Sequence, residues 1–258
     1  MTSKTPGQVQ SISRALGILN LLSQHDDGLN LTSIGKSLSL APSTAHRLLT
    51  TLQNERYVRF NDAKCLWQIG VQAFVVGSHF LRSRELIAVA QPHLEELMEL
   101  SAETANLAMA NRGEVVYLAQ VECRQLMRTL AKPGSRVAMH CSAVGKALLA
   151  QLSAQEVTQM LHTSGLPRVT ERTITSIDRL IDDLKLVKKN GYALDDEEHA
   201  LGLRCIAAPV FDEHGKTRAA VSLSGPKIRI PEDRIGELAQ MVMNTGHQIT
   251  EQYGGMMR

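Results

Sequence analysis

The sequence predicts an α+β protein in two parts: an N-terminal winged helix-turn-helix, then, beyond a helical connector, a larger α+β domain on an antiparallel sheet. Three observations carry this. Residues 31–49 read as a short helix, a tight turn and a second helix opened by Pro42-Ser43. Residues 57–60 and 66–69 are strand-like and flank Asn61-Asp62-Ala63-Lys64, a hairpin tip. From residue 104 onward, short strands in hairpins alternate with helices, the pattern of an antiparallel sheet with helices packed on it.

The elements follow in order. Residues 11–23 form a first helix: Ile12, Leu16, Leu19 and Leu22 recur near helical spacing, Ala15 and Ile18 widen the stripe, and Ser11 is the expected N-cap. After the Asp26-Asp27-Gly28 loop, Thr32 is expected to cap a short helix whose inner residues are Ile34 and Leu38. Ser39-Leu40-Ala41 turns the chain. Pro42 suits a first helical position, where an N–H has no intrahelical acceptor. Ala45, Leu48, Leu49 and Leu52 then fall on one buried face. Residues 70–90 read as a connector helix bearing Val71, Phe74, Val75, Phe80 and Leu81, and residues 92–101 as a separate amphipathic helix started by Pro92. Strands are expected at 104–110 and 114–120 around Asn111-Arg112-Gly113, at 127–130 and 136–139, and later at 192–194, 204–211 and 218–224, the last two joined by an Asp212-Glu213-His214-Gly215 turn. Helices are expected at 142–152, 153–162, 176–190 (closed by Gly191) and 232–252. The domain expectation is 1–70 for DNA binding, 71–90 for the linker and 91–258 for the larger domain.

With 258 residues, the chain is long enough for two domains, and 43% hydrophobic residues support a buried core. Aromatics are only 3%, so aliphatic and small residues must fill the interior. No apolar run approaches the roughly 20 residues of a membrane span. The N-terminus lacks the apolar stretch of a signal peptide, so a cytoplasmic protein with no membrane partner is expected. Cys65, Cys123, Cys141 and Cys205 show no Cys-x-x-Cys spacing and read as reduced thiols. Residues 1–90 hold nine Lys/Arg against five Asp/Glu, the remainder 19 against 21, so the front is basic and the back mildly acidic. That asymmetry suits an N-terminal part that meets a polyanion.

A recognition helix presents short polar side chains near its N-terminus to base edges, with cations and hydroxyls for phosphates. Ser43, Thr44, His46, Arg47 and Thr50 meet that demand, and Arg47 adds a planar fork able to pair bidentately. Arg14, Lys36, Arg59 and Lys64 are placed to hold the backbone. A solvated surface helix is the bland alternative.

Three clusters in the larger domain carry polar chemistry. Met139-His140-Cys141-Ser142-Ala143-Val144-Gly145-Lys146 opens a helix after a strand, either an anion site of free backbone N–H groups or a close-packed corner. Asp195-Asp196-Glu197-Glu198-His199 reads as a solvated acidic loop, or as one from which a carboxylate turns inward. In Ser222-Leu223-Ser224 both hydroxyls share one face of a strand. Cys141 or Cys205 with His140 or His199 would suggest a thiol enzyme, which is disfavoured: the adjacent His140 and Cys141 face opposite ways on a strand, and no orienting third group is evident. No metal-ligand spacing is present either.

Together, Gly7-Gln8-Val9-Gln10-Ser11, the run from Pro42 to Leu49, His140-Cys141-Ser142-Ala143-Val144-Gly145-Lys146-Ala147 and Asp195-Asp196-Glu197-Glu198-His199-Ala200-Leu201-Gly202-Leu203-Arg204-Cys205 resemble the IclR family of bacterial transcriptional regulators over nearly the whole chain. The ending Tyr253-Gly254-Gly255-Met256-Met257-Arg258 resembles the family's founding member. The resemblance implies a winged-helix domain, a dimerising linker helix and a GAF-like effector domain, in a homodimer or a homotetramer built as a dimer of dimers. It implies a ligand-responsive repressor of acetate and glyoxylate-bypass genes on double-stranded operator DNA, with no enzymatic turnover and no cofactor. The implied effector is a small 2-oxo acid such as glyoxylate or pyruvate. Its site would comprise Ala143, Val144, Asp195, Cys205, Ser222 and Ser224, walled by aliphatics such as Met127 and Leu130. Ala143-Val144 replaces an expected Gly-Ala, which keeps the amide donors and narrows the space. The alternatives are a family regulator of another catabolic operon (allantoin–glyoxylate or aromatic acids), possibly an activator; an enzyme; or an architectural DNA-binding protein that ignores small acids.

Overall fold

The computed structural model describes residues 9–82, 85–127 and 131–256. They fall into two compact units, Met1–Ser83 and Arg84–Arg258.

The first unit contains α1 (Gln10–Leu22), α2 (Leu31–Ser37), α3 (Pro42–Asn54), β1 (Val58–Asn61), β2 (Leu66–Ile69) and α4 (Val71–Arg82). Its core is Ile18, Leu22, Ile34, Leu49, Val58 and Trp67, with Leu48 and Leu52 packed partly buried against it. Trp67 meets Phe60 with ring centroids 4.9 Å apart. Leu29 and Trp67 exchange backbone bonds of 3.0 and 2.8 Å, which ties the loop before α2 to the ribbon. Gly28 makes this possible: its φ is +86°, and a Cβ there would strike the Trp67 carbonyl.

Three sequence expectations change here. Val9, not Ser11, is the N-cap of α1, and it makes no side-chain capping bond. Ile12 (58% exposed) and Leu16 (54%) lie outside the core, because α1 turns Ile18 and Leu22 inward and leaves the other edge of its wide stripe open. Asn30, not Thr32, caps α2: its Oδ1 accepts from the Ser33 N–H at 2.8 Å, the usual role of a short Asx side chain at a helix start. Pro42 does open α3.

The second unit contains α5 (Glu85–Ser101), β3 (Thr104–Asn111), β4 (Glu114–Val121), β5 (Arg136–Ala138), α6 (Ala143–Leu149), α7 (Ala154–Ser164), α8 (Ile177–Asn190), β6 (Ala193–Asp196), β7 (Leu203–Phe211), β8 (Thr217–Pro226) and α9 (Glu232–Gln252). The strands form one antiparallel sheet in the order β5-β4-β3-β8-β7-β6. Because side chains alternate, the sheet has two distinct faces. Ala105, Leu107, Ile206, Ala208, Val221 and Leu223 pack with Leu94, Leu97 of α5 and Leu238, Val242 of α9. Ala108, Val115, Ala207 and Ala220 face the other way, toward α6, α7 and α8. This second face carries the polar site.

Pro92 does not start a helix: α5 begins at Glu85 and runs through it. Leu86, Ala90, Leu94 and Leu97 are all buried, and their common apolar stripe outweighs the hydrogen bond a helix-interior proline forfeits. The acidic run is no simple loop, since Asp195 and Asp196 belong to β6. Of the strand expected at 127–130, residues 128–130 lie outside the described residues, and Met127 is not in a strand. Of the motif beginning at Gly7, residues 7 and 8 lie outside them too, as do residues 83 and 84 of the expected linker and 257 and 258 of the ending. Among the described residues, no helix is long and apolar enough to cross a membrane.

Candidate functional site

In the first unit, the side chains α3 withholds from the core form its outer face. Ser43, His46 and Arg47 are exposed, Thr44 and Thr50 half-buried. Thr50 donates to the His46 carbonyl at 2.9 Å, which leaves its lone pairs outward. Arg59 on β1 and Lys64 at the ribbon tip are exposed; Arg14 on α1 is half-buried. The tip is held by Asn61, whose Oδ1 accepts from the Lys64 N–H at 3.2 Å. Among the described residues, Arg47, Arg59 and Lys64 have no carboxylate partner. Their charge is therefore available to an external anion.

The second unit hides its polar groups. Where β5 gives way to α6, the Ser142 Oγ donates to the Ala138 carbonyl at 2.7 Å and accepts from the Gly145 N–H at 3.2 Å. The helix comes this close because residue 145 has no side chain; a Cβ would collide with the Met139 backbone. Capping uses the third N–H of the helix and leaves those of Ala143 and Val144 as orphan donors. These two residues line a cavity of about 230 Å³ together with Tyr117, Val137, Asp195, His199, Leu203, Cys205, Ser222 and Ser224. That volume is below the roughly 300–1,000 Å³ of sites for drug-sized ligands and suits a small one.

Sheet register explains the convergence. Asp195 pairs with Cys205, and Cys205 with Ser224, so one row across three strands presents all three to the same face. Ser222 stands in the next row, opposite Asn106. All six residues the family resemblance nominated, Ala143, Val144, Asp195, Cys205, Ser222 and Ser224, thus border one cavity. Met127 does not: it is 70% exposed, and its carbonyl accepts from Arg229 at 2.9 Å. Leu130 lies outside the described residues. Tyr117 was not singled out from the sequence, and His199 and Ser142, although part of the polar clusters there, were not nominated for the site. Only Ser142 had a local signal, as a serine directly before a helix.

Burial pushes the Asp195 carboxyl up to about 7. N–H bonds from Glu198 (2.8 Å) and His199 (3.3 Å) oppose the shift, and the nearby Glu198 carboxylate adds to it. Asp195 therefore stands near half-protonation at neutral pH, where its protonated form donates a hydrogen bond instead of repelling an anion. Burial also pushes the Cys141 thiol up to about 12 and the Cys205 and Tyr117 groups upward. Both thiols are thereby held protonated, the reverse of what a cysteine nucleophile needs. His140 points elsewhere, its Nε2 bonded to the Pro167 carbonyl at 3.0 Å. Among the described residues, no three His, Cys, Asp or Glu side chains gather as a metal site.

One feature of this region escaped the sequence reading. Lys146, 2% exposed on α6, meets Glu198 at 2.5 Å and Asp183 of α8 at 3.1 Å. Burial works against its charge, yet the two carboxylates prevail and raise its pKa. The same Glu198 supplies the main-chain N–H that binds Asp195, so this ion cluster is tied directly to the cavity wall.

The comparisons with known proteins agree with both units. The family description "IclR helix-turn-helix domain" matches residues 11–62, and "Bacterial transcriptional regulator IclR C-terminal" matches residues 78–251. The chain is 46% identical over 257 residues to "Transcriptional repressor IclR" of Escherichia coli K12, covering 99% of this chain and 94% of that one. It is 45% identical over 256 residues to the "Acetate operon repressor" of Salmonella typhimurium, covering 98% and 93%. Among solved structures, a transcriptional regulator from Rhodococcus sp. RHA1 superposes with a TM-score of 0.84 at 30% identity, over 95% of this chain and 98% of that one. An outward polar helix in one unit, a small cavity with converging polar groups in the other and matches spanning both lead to one conclusion: the chain belongs to the IclR family of bacterial transcriptional regulators.

Proposed function

We propose that this protein is a cytoplasmic repressor that holds double-stranded operator DNA through α3 and the β1–β2 wing and is switched by a small 2-oxo acid such as glyoxylate or pyruvate. Residues 1–70 bind DNA, 71–90 link, and 91–258 sense the acid. Ser43, Thr44, His46, Arg47 and Thr50 face the major groove; Arg14, Arg59 and Lys64 hold phosphates. Control of acetate genes is carried over from the name of the Salmonella relative.

The cavity carries this reading. It presents the Ala143 and Val144 N–H groups and the Ser222 and Ser224 hydroxyls around a carboxyl able to keep its proton near neutral pH. A 2-oxo acid offers acceptor oxygens at both ends, which such donors satisfy. Burying the acid without them would be costly. Two copies are expected to pair through α4, where Val71, Val75, Val76 and Phe74 (72% exposed) leave an apolar surface open. Pairing sets two wings on a two-fold operator, and two such dimers make the tetramer. The acid acts by binding one DNA-affinity state better than the other; without that preference it shifts nothing.

The test is a gel-shift titration of the full chain on a duplex selected from a random pool, with glyoxylate and with pyruvate. At least one acid should move the midpoint severalfold. Retention that ignores both acids overturns the effector reading, and failure to retain any duplex overturns the repressor.

A further inference from the structure

A fully buried asparagine lies behind the two serines, in a place where an apolar residue would fit. Asn106 sits on β3, on the same face as Ala108 and opposite Ser222. It has no exposed surface and does not line the cavity. Its neighbours on that face include Ala108, Ala207 and Ala220. A primary amide buried there must have every group partnered, or it costs stability. Its Nδ2 donates to the Ser222 Oγ and to the Ser224 Oγ, each at 3.3 Å. Its Oδ1 accepts from the Gln120 Nε2 at 2.9 Å. In this arrangement Gln120, half-buried on β4, donates to the Asn106 oxygen while the Asn106 nitrogen faces the serines.

The direction of these bonds matters more than their strength. A serine hydroxyl has one proton to give and two lone pairs. An oxygen that accepts from Nδ2 cannot aim its own proton at that nitrogen. The protons of Ser222 and Ser224 are left for acceptors other than the Asn106 nitrogen, and both serines line the cavity. The Cys205 sulfur beside Ser224 competes only as a weak acceptor.

We infer that Asn106, held in orientation by Gln120, is a specificity-determining positioning residue that makes Ser222 and Ser224 hydrogen-bond donors toward the cavity, so that the site selects ligands rich in acceptor oxygens, carboxylates and ketones. This rests on the acid-binding reading above and deepens it. A reversed amide would present its oxygen to both serines, draw their protons inward and leave the cavity with acceptors that repel an acid.

Calorimetric titration with pyruvate, taken to millimolar concentration, tests the relay in four backgrounds: the full chain, Asn106→Leu, Ser222→Ala, and both together. Gln120→Leu, at a half-buried position, is the milder second variant; operator retention and thermal unfolding check the fold of each. Asn106→Leu should weaken pyruvate binding roughly tenfold in the otherwise unchanged chain and by clearly less once Ser222 is gone, because part of its action has lost its target. Gln120→Leu should move affinity the same way by a smaller factor. Equal losses with and without Ser222, or no loss in the unchanged background, overturn the relay. Absence of pyruvate and glyoxylate binding by the unsubstituted chain is a different result and overturns the acid-binding reading itself.

Discussion

The two units use polar residues in opposite ways. In Met1–Ser83 the polar side chains proposed to meet DNA are exposed or half-buried, and Arg47, Arg59 and Lys64, all exposed, carry no carboxylate partner among the described residues. In Arg84–Arg258 they lie inside: Asp195, Ser222, Ser224, Asn106 and Lys146 are all buried, and each is held by named partners or shifted in pKa. A nucleic acid is large, charged and solvated, so its partner must offer exposed cations. A small acid must be taken out of water, so its site must replace every hydrogen bond the acid gives up. The first surface is therefore expected to tolerate substitution in its folding but not in its binding. The second couples the two.

Five measurements sharpen or break this contrast. The largest effect is expected at the buried ion cluster. Lys146→Met should cost about 3–5 kcal/mol in denaturant unfolding, because it strands Glu198 and Asp183. Adding Glu198→Leu should recover much of that loss. On the surface, Arg47→Ala should change stability by less than about 0.5 kcal/mol. Its cost should appear in operator binding instead, at about 1–3 kcal/mol in gel shift, with effector affinity untouched. A large stability loss for Arg47→Ala, or none for Lys146→Met, would invert the contrast.

Ser222→Ala with Ser224→Ala should lower affinity for glyoxylate or pyruvate by roughly one to two orders of magnitude, on the net worth of two ordinary hydrogen bonds of about 0.5–1.5 kcal/mol each. Operator retention without ligand should persist. Next comes pH. The Asp195 carboxyl, pushed up to about 7, keeps its proton in the folded chain well above its usual value of 3.8. The folded state thus binds more protons over that interval, and this group's contribution to stability falls as pH rises from about 4 to about 7. Acid affinity should likewise fall as pH rises through about 7, when the donor becomes a repelling carboxylate, and Asp195→Asn should flatten that dependence in calorimetry. The smallest effect belongs to the wing. Lys64→Gln should weaken DNA binding only a few-fold and reduce the salt slope by about one ion.

How much was legible depended on range in the chain. The recognition helix could be read from thirteen consecutive residues, because its inner face (Ala45, Leu49) and outer face (His46, Arg47) alternate within a single element and Pro42 marks its start. Caps were less legible. Ser11 and Thr32 have the right chemistry for the role, but Val9 and Asn30 hold it, since the start of a helix depends on where the preceding chain is anchored. Pro92 misled for a related reason: local preference argued for a boundary, and burial of Leu86 through Leu97 overrode it. In the cavity, the six nominated residues came from long motifs resembling a family. Nothing local announced Tyr117, the Asn106–Gln120 relay or the pairing of Lys146 with Glu198.

The sequence by itself determined most of the helices and strands, their alternating faces and the division between a basic front and a larger rear part, because those depend on periodicity and turn chemistry within short windows. Only the tertiary structure decided which acid of the run 195–198 turns inward, what orients the two serines, and which lysine is buried against two carboxylates. The orientation of the serines arises from register between strands more than a hundred residues apart in sequence, Asn106 and Ser222, the inward turn of Asp195 from the pairing of β6 with β7, and the lysine cluster from the contact of α6 with α8 and Glu198. They also depend on the loss of water, which raises the Asp195 carboxyl and has no local signature in the chain.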